Sequence, residues 1–141
     1  TLTPKGSGAV KLDLLTFPVV TGNADQVLTS NGSGVLSFVD NTGGTDWQAV
    51  KTGTFTAVAG EGYFINTTGG AIEMDLPAGS IGDEVSFIDY AGTFDTNALT
   101  IDQNGTEKIL GSTDPLTVSV ERGANTLVYT DGTQGWLLKN K

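Results

Sequence analysis

An all-β fold is what this sequence predicts, and three observations carry the prediction. Apolar and polar residues alternate in short runs, most clearly in "AIEMDL" (71–76) and "LTVSV" (116–120), the period of a strand with one buried face. Turn signals rich in Gly, Asn and Asp bound nearly every run: "TTGG" (67–70), "PAGSIGD" (77–83), "QNGT" (103–106), "ERGAN" (121–125) and "TDGTQG" (130–135). The composition agrees: 20 glycines, frequent threonine, singly scattered aromatics, 38% hydrophobic and only 16% charged residues suit short strands joined by tight turns and suit long helices badly. No window shows a helical period.

Taken in order, strands are expected near 47–50, 54–58, 62–66, 71–76, 84–89, 98–102, 108–110, 116–120, 125–130 and 135–138. In the first clear case Ile72, Met74 and Leu76 face one way, Glu73 and Asp75 the other. In the second, Leu116, Val118 and Val120 share a face. The pair Asn104–Gly105 between two short apolar runs predicts a hairpin. Strands at this regular spacing predict a small antiparallel sandwich or barrel over residues 45–141.

Residues 1–44 differ. They hold a faint repeat, "GSGAVKLDLLTF" (6–17) and "GSGVLSFVDN" (32–41), each opening Gly-Ser-Gly and continuing with alternating apolar positions. Between the two lies "PVVTGNADQVLTSN", with Pro18 and Gly22 as turn punctuation. A segment of this size does not build a core alone without disulfides or metals. Its apolar stripe therefore needs cover. Either it lies along the C-terminal domain as an extra strand or two, or it meets copies of itself about a symmetry axis, where three extended chains share an interior that none encloses singly. The axial reading is preferred. It predicts an extended trimerising segment in an intertwined homotrimer, with Leu12, Leu14, Phe17, Val27, Leu28, Leu36 and Phe38 at the interface. The chain opens on Thr1, which predicts a piece of something longer.

Charge and composition exclude several classes of function. Seven basic residues against 16 acidic ones give a formal charge of −9 and a pI near 4.1. Nucleic acid is then a poor partner, since nothing neutralises a run of phosphates, and an anionic membrane surface is disfavoured for the same reason. No apolar run reaches the length of a membrane span, so no membrane insertion is expected. With no cysteine there are neither disulfides nor thiolate metal sites, and with no histidine the commonest metal ligand and general base are missing.

Both parts of the chain resemble bacteriophage proteins. Residues 3–40 resemble a segment recurrent in fibre and appendage proteins of tailed phages, especially marine ones, in which a "TPxGSGxVxLxxLxFP" stretch precedes a "GxADQVLxTxGSGxLSF" stretch. Pro4, Gly6, Gly8, Val10, Leu12, Phe17 and Pro18 fill the first; Gly22, Ala24 to Leu28, Gly32, Gly34, Leu36 and Phe38 fill the second. Residues 47–140 are similar to a small β-domain of baseplate and tail-fibre proteins of T-even-like phages. Its marks here are Trp47, then Tyr63, Ile65, Asn66, Thr67, Gly70, Leu76, Pro77, Gly79, Gly82 and Asp83, then Leu127, Val128, Tyr129, Gly135, Trp136, Lys139 and Asn140. The resemblance implies a homotrimeric structural component of a virion tail fibre or related appendage. Its implied partners are other virion tail or baseplate proteins and, at a tip, a host surface glycan or outer-membrane protein. A long repeated shaft, usual in such proteins, is absent.

Candidate chemistry is sparse. Ser7 and Ser33 sit in Gly-Ser-Gly turns with no base to activate them, and no Gly-x-Ser-x-Gly elbow exists. The carboxylates to consider for glycan cleavage are Asp83 and Glu84, Asp89, and Asp102 with Glu107. Strand neighbours such as Asp83 and Glu84 point to opposite faces and make a poor pair, and all are read as turn charges. "DQNGTE" (102–107) has calcium-loop residues, but no EF-hand spacing, and its Asn-Gly turn accounts for its composition. No enzyme activity, metal or cofactor is expected. Of the aromatics suited to stack on a sugar (Trp47, Tyr63, Tyr90, Phe94, Tyr129 and Trp136), Tyr63 and Tyr129 are read as core. "DYAGTFDTN" reads as an exposed loop, so Tyr90, Thr93, Phe94 and Asp95 are the candidate receptor or glycan loop. Asn31, Asn66 and Asn104 head glycosylation sequons but are read as turn residues. Two rival functions stay open: a purely connective baseplate or neck module, and a glycan-cleaving tailspike fragment.

Overall fold

A computed structural model describes residues 11–12, 15–24, 26–40 and 44–140. Contacts divide the chain into two units, Thr1–Gly43 and Gly44–Lys141.

In the first unit, β1 (Lys11–Leu12) pairs antiparallel with β2 (Leu15–Thr16), Leu12 opposite Leu15. A longer hairpin follows, β3 (Gln26–Ser30) with β4 (Leu36–Asp40). The second Gly-Ser-Gly is its loop: Gly32 and Gly34 take positive φ (77° and 80°), and Asn31 Oδ1 accepts the amides of Ser33 and Val35 at 2.8 and 3.2 Å. Thr16 bridges to Val35 in parallel. Gly22 lies beneath the Phe38 ring, so close that a Cβ there would sit 2.6 Å from Phe38 Cδ1. No described residue of this unit is buried.

The second unit is a two-sheet β-structure. Its strands are β5 (Asp46–Lys51), β6 (Phe55–Thr56), β7 (Glu61–Ile65), β8 (Ile72–Asp75), β9 (Glu84–Asp89), β10 (Leu99–Asp102), β11 (Leu116–Val118), β12 (Ala124–Tyr129) and β13 (Trp136–Leu138). One sheet has the order β13-β12-β9-β7-β5 and the other β11-β10-β8-β6. From β5 to β10 the chain therefore changes sheet at every link, so successive strands within a sheet run parallel: β5 with β7, β7 with β9, β6 with β8 and β8 with β10. These are three coils of a parallel solenoid. β11, β12 and β13 then turn back antiparallel and extend both sheets on one side.

This corrects the expectation of an antiparallel sandwich or barrel. Both sheets are mixed and open, and no barrel closes. Parallel neighbours need a crossover between them, and here a strand of the facing sheet supplies it. The Asn104–Gly105 hairpin is also corrected. The turn forms, with Gly105 at φ 58° and the Glu107 amide donating to Asn104 O at 3.0 Å, but β10 pairs with β11 instead. The strand expected at 108–110 reduces to isolated bridges of Ile109 with Ser112 and Trp136, because Leu110 takes φ 53° and breaks the extended run.

One core lies between the sheets. Tyr63, Ile65, Val85, Phe87, Leu127 and Trp136 enter it from the five-stranded sheet, and Ile72, Met74, Leu99 and Ile101 from the four-stranded one. Ile72, Met74 and Leu76 are buried as the alternation of their run requires; Leu116 and Val118 pack at the margin while Val120 is exposed. Tyr63 is buried with its hydroxyl satisfied: it donates to Glu61 and accepts the Val58 amide at 2.7 Å. Burial, then the Glu61 carboxylate, holds that phenol far above its ordinary pKa.

The last strand is locked to earlier coils by one carboxylate. Glu107 accepts the Gly79 amide at 3.0 Å and the Trp136 indole N–H at 3.3 Å. The Tyr129 ring crosses Gly79, where a Cβ would fall 2.1 Å from it, and meets Trp136 edge-on at 5.4 Å. Gly135 passes Lys108 O so closely that a Cβ would lie 1.8 Å from that oxygen, and its φ is 69°. Gly135→Ala is therefore expected to destabilise unit 2 by about 3 kcal/mol or more. Gly132→Ala, with open space around its Cα, should stay within about 0.5 kcal/mol of the parent; chemical denaturation of the two variants checks the contrast.

Candidate functional site

Three surfaces collect the residues that carry binding chemistry. On the first-unit hairpin, strand alternation sets Leu28 opposite Phe38 and Ser30 opposite Leu36 on one face, and Val27 opposite Val39 on the other. Val27, Leu28 and Val39 are each more than two-fifths exposed, while Phe17, Leu36 and Phe38 are half-buried. Of the residues expected at an interface, Leu14 and the side chain of Leu12 lie outside the described residues. The hairpin is thus apolar on both faces, which a free two-stranded ribbon does not sustain in water.

The second surface is the expected recognition loop. Tyr90 is 54% exposed and Asp95 is exposed, but Thr93 is only half-exposed. Phe94 corrects the expectation outright: it is fully buried and belongs to the core. The cause is Asp89, at the end of β9 and itself buried. Its Oδ1 accepts the amides of Gly92 (2.9 Å) and Thr93 (3.2 Å), and its Oδ2 those of Phe94 (3.2 Å) and Arg122 (3.0 Å). Wrapping the loop around this carboxylate carries Phe94 inward. Thr93 is held by the Thr67 hydroxyl at 2.8 Å. Arg122, at φ 58°, lies against Gly92 and donates to Tyr90 O at 3.3 Å. What the loop presents is Tyr90, Asp95 and Arg122.

The third surface, on the outer face of the five-stranded sheet, was not legible in the sequence. Register aligns Trp47, Gly62, Ser86 and Thr126 in one row across β5, β7, β9 and β12. Gly62 leaves an empty place beside Trp47, where a Cβ would sit 2.7 Å from the indole Cε3. Trp47, 43% exposed, stacks on Phe64 with ring centres 4.9 Å apart and planes 28° apart. Beside the stack a concavity of about 230 Å³ is walled by Thr45, Ser86, Ile88, Thr126, Asn125 and Asn140. Ser86 and Thr126 share a hydroxyl–hydroxyl bond of 2.8 Å. The Asn125 amide pins Asn140, donating to its carbonyl at 2.6 Å and accepting its N–H at 3.2 Å. The aromatic was visible in the sequence; the glycine that receives it and the hydroxyl pair two strands away were not.

The carboxylates considered for catalysis each hold structure. Asp83 accepts the Ser80 amide at 2.8 Å, Glu84 pairs with Lys139 at 2.7 Å, Asp102 accepts the Gln103 amide at 2.9 Å, and Asp89 and Glu107 organise backbone as described. Among the described residues no three potential metal-binding side chains cluster.

These features define an all-β module with no helix among its described residues. No known protein-family profile matches the chain. It is similar to baseplate wedge protein gp10 of Enterobacteria phage T4, with 28% identity over 125 residues. That match covers 86% of this chain and 21% of the phage T4 protein, so the chain spans about a fifth of that relative's length. The similarity is distant, and it supports the coarse part of the motif resemblance, a phage baseplate or tail protein.

Asp89 makes acid stability testable. Burial alone would raise its pKa, but the amides of Phe94, Thr93, Arg122 and Gly92 together outweigh burial and hold it below the ordinary 3.8. The folded state thus favours the ionised form, so this contribution is complete above the unfolded value and is lost as pH falls through the lower folded value. Asp89→Asn is expected to be less stable than the parent at pH 7 and to show a shallower loss of stability below pH 4, read from denaturation midpoints across pH.

Proposed function

We propose that this chain is a structural module of a phage tail fibre or related virion appendage. In this reading it associates as a homotrimer through its first unit, and other tail or baseplate proteins are its neighbours. The observation that carries it is the first-unit hairpin, apolar on both faces and without one buried described residue. Copies of the chain supply the missing cover, Val27, Leu28, Leu36 and Phe38 meeting their counterparts about an axis. The distant likeness to a baseplate protein supports the setting. Host attachment is the finer part of the proposal, and the surface of unit 2 is where it would fall. The module works by shape and adhesion, with no catalysis and no cofactor.

Static light scattering on the chain should return three times its 14.6 kDa mass. Leu28→Asp should return a single mass while the Trp136 emission of unit 2 is unchanged; a monomeric parent chain overturns the assembly. Incubation with capsular polysaccharide is expected to release no reducing sugar.

A further inference from the structure

The outer face of the five-stranded sheet has the parts of a sugar subsite. A pyranose ring offers a patch of C–H bonds on one face and hydroxyls around its rim. A site that holds it needs an exposed aromatic plane to dehydrate the patch, and hydrogen-bonding groups at the plane's edge to take up the rim. Trp47, braced from behind by Phe64, is the plane. It is kept low on the sheet by the absence of a side chain at Gly62.

Across the row, Ser86 and Thr126 bond to each other. One hydroxyl–hydroxyl bond uses one of their two protons and one of their four lone pairs, so the pair still donates once and accepts three times. Ser86 is 4% exposed and lies at the floor of the concavity. Strand spacing puts the β5 position and the hydroxyl of β9 about 10 Å apart, a span suited to one or two sugar rings. The side-chain amide of Asn125 is committed to the backbone of Asn140, which fixes the far wall.

We infer that the Trp47–Gly62–Ser86–Thr126 row binds a neutral oligosaccharide. Charge decides for a neutral one: no ionisable side chain is among the residues that line the concavity, and the chain carries −9 overall, which repels uronic and sialic acids. The inference deepens the attachment part of the proposed function and moves it from the Tyr90 loop to the sheet face; it does not depend on assembly.

The chain's two tryptophans make the test direct. Trp136 is fully buried and Trp47 is open, so iodide quenching reports Trp47. Maltotriose and chitotriose are titrated into the full chain. Saturable protection of Trp47 from iodide is expected, with a dissociation constant on the order of 1 mM. By calorimetry, Trp47→Ala should weaken binding roughly 10-fold or more, Thr126→Val by a few-fold, and Trp47→Phe should retain most of it. Buried Trp136 emission in each variant confirms folding. No saturable protection with either sugar, or a Trp47 that iodide cannot reach in the free chain because another copy covers it, overturns the site. Equal binding by parent and Trp47→Ala overturns its location while leaving attachment standing.

Discussion

The second unit depends on one constraint: between β5 and β10 the chain crosses the core at every turn. Because each link passes to the facing sheet, no hairpin forms there, and strands close in sequence become parallel neighbours one coil apart. Each coil adds inward residues from both sheets, Tyr63 and Ile65 with Ile72 and Met74, then Val85 and Phe87 with Leu99 and Ile101. The core is therefore built in layers along the sheets, and its ends need closure. β11, β12 and β13 supply it on one side by reversing direction. At the other, β5 is an edge strand with a register irregularity between Gln48 and Lys51, a feature that discourages further pairing.

Two carboxylates tie this arrangement together, Asp89 buried and Glu107 half-buried. An acidic chain without histidine invites a search for paired acids as catalysts, yet Asp89 and Glu107 spend their lone pairs on amide and indole N–H groups. A carboxylate accepting several backbone amides satisfies donors that a loop has no ladder to satisfy. Asp89 thereby fixes the turn after β9 and commits Phe94 to the core. Glu107 joins the Gly79 turn to Trp136 and so secures the final strand. The acids that hold the fold are the ones with the most partners.

The two units stand in contrast. The second encloses fourteen buried apolar residues in one cluster; the first has apolar side chains on both faces of a ribbon and no interior among its described residues. The same alternation that makes a strand buries its apolar face only where a second layer exists. In one unit that layer is the facing sheet; in the other, no described residue supplies it.

Strand content was determined by the sequence alone. Nine of the ten expected runs are strands, because alternation and Gly, Asn and Asp punctuation are local signals that each run carries in itself. The inward residues of β8 and the burial of Tyr63 were legible for the same reason. Strand direction was not. A turn that starts a hairpin and a turn that crosses to another sheet use the same residues, so only tertiary structure decided that β5 to β10 run parallel. It also decided that Phe94 points inward, since the Asp89 clamp closes through Arg122, far along the chain. And it alone made the Trp47 row, because cross-strand neighbours are set by register between strands distant in sequence, which no single run of residues encodes.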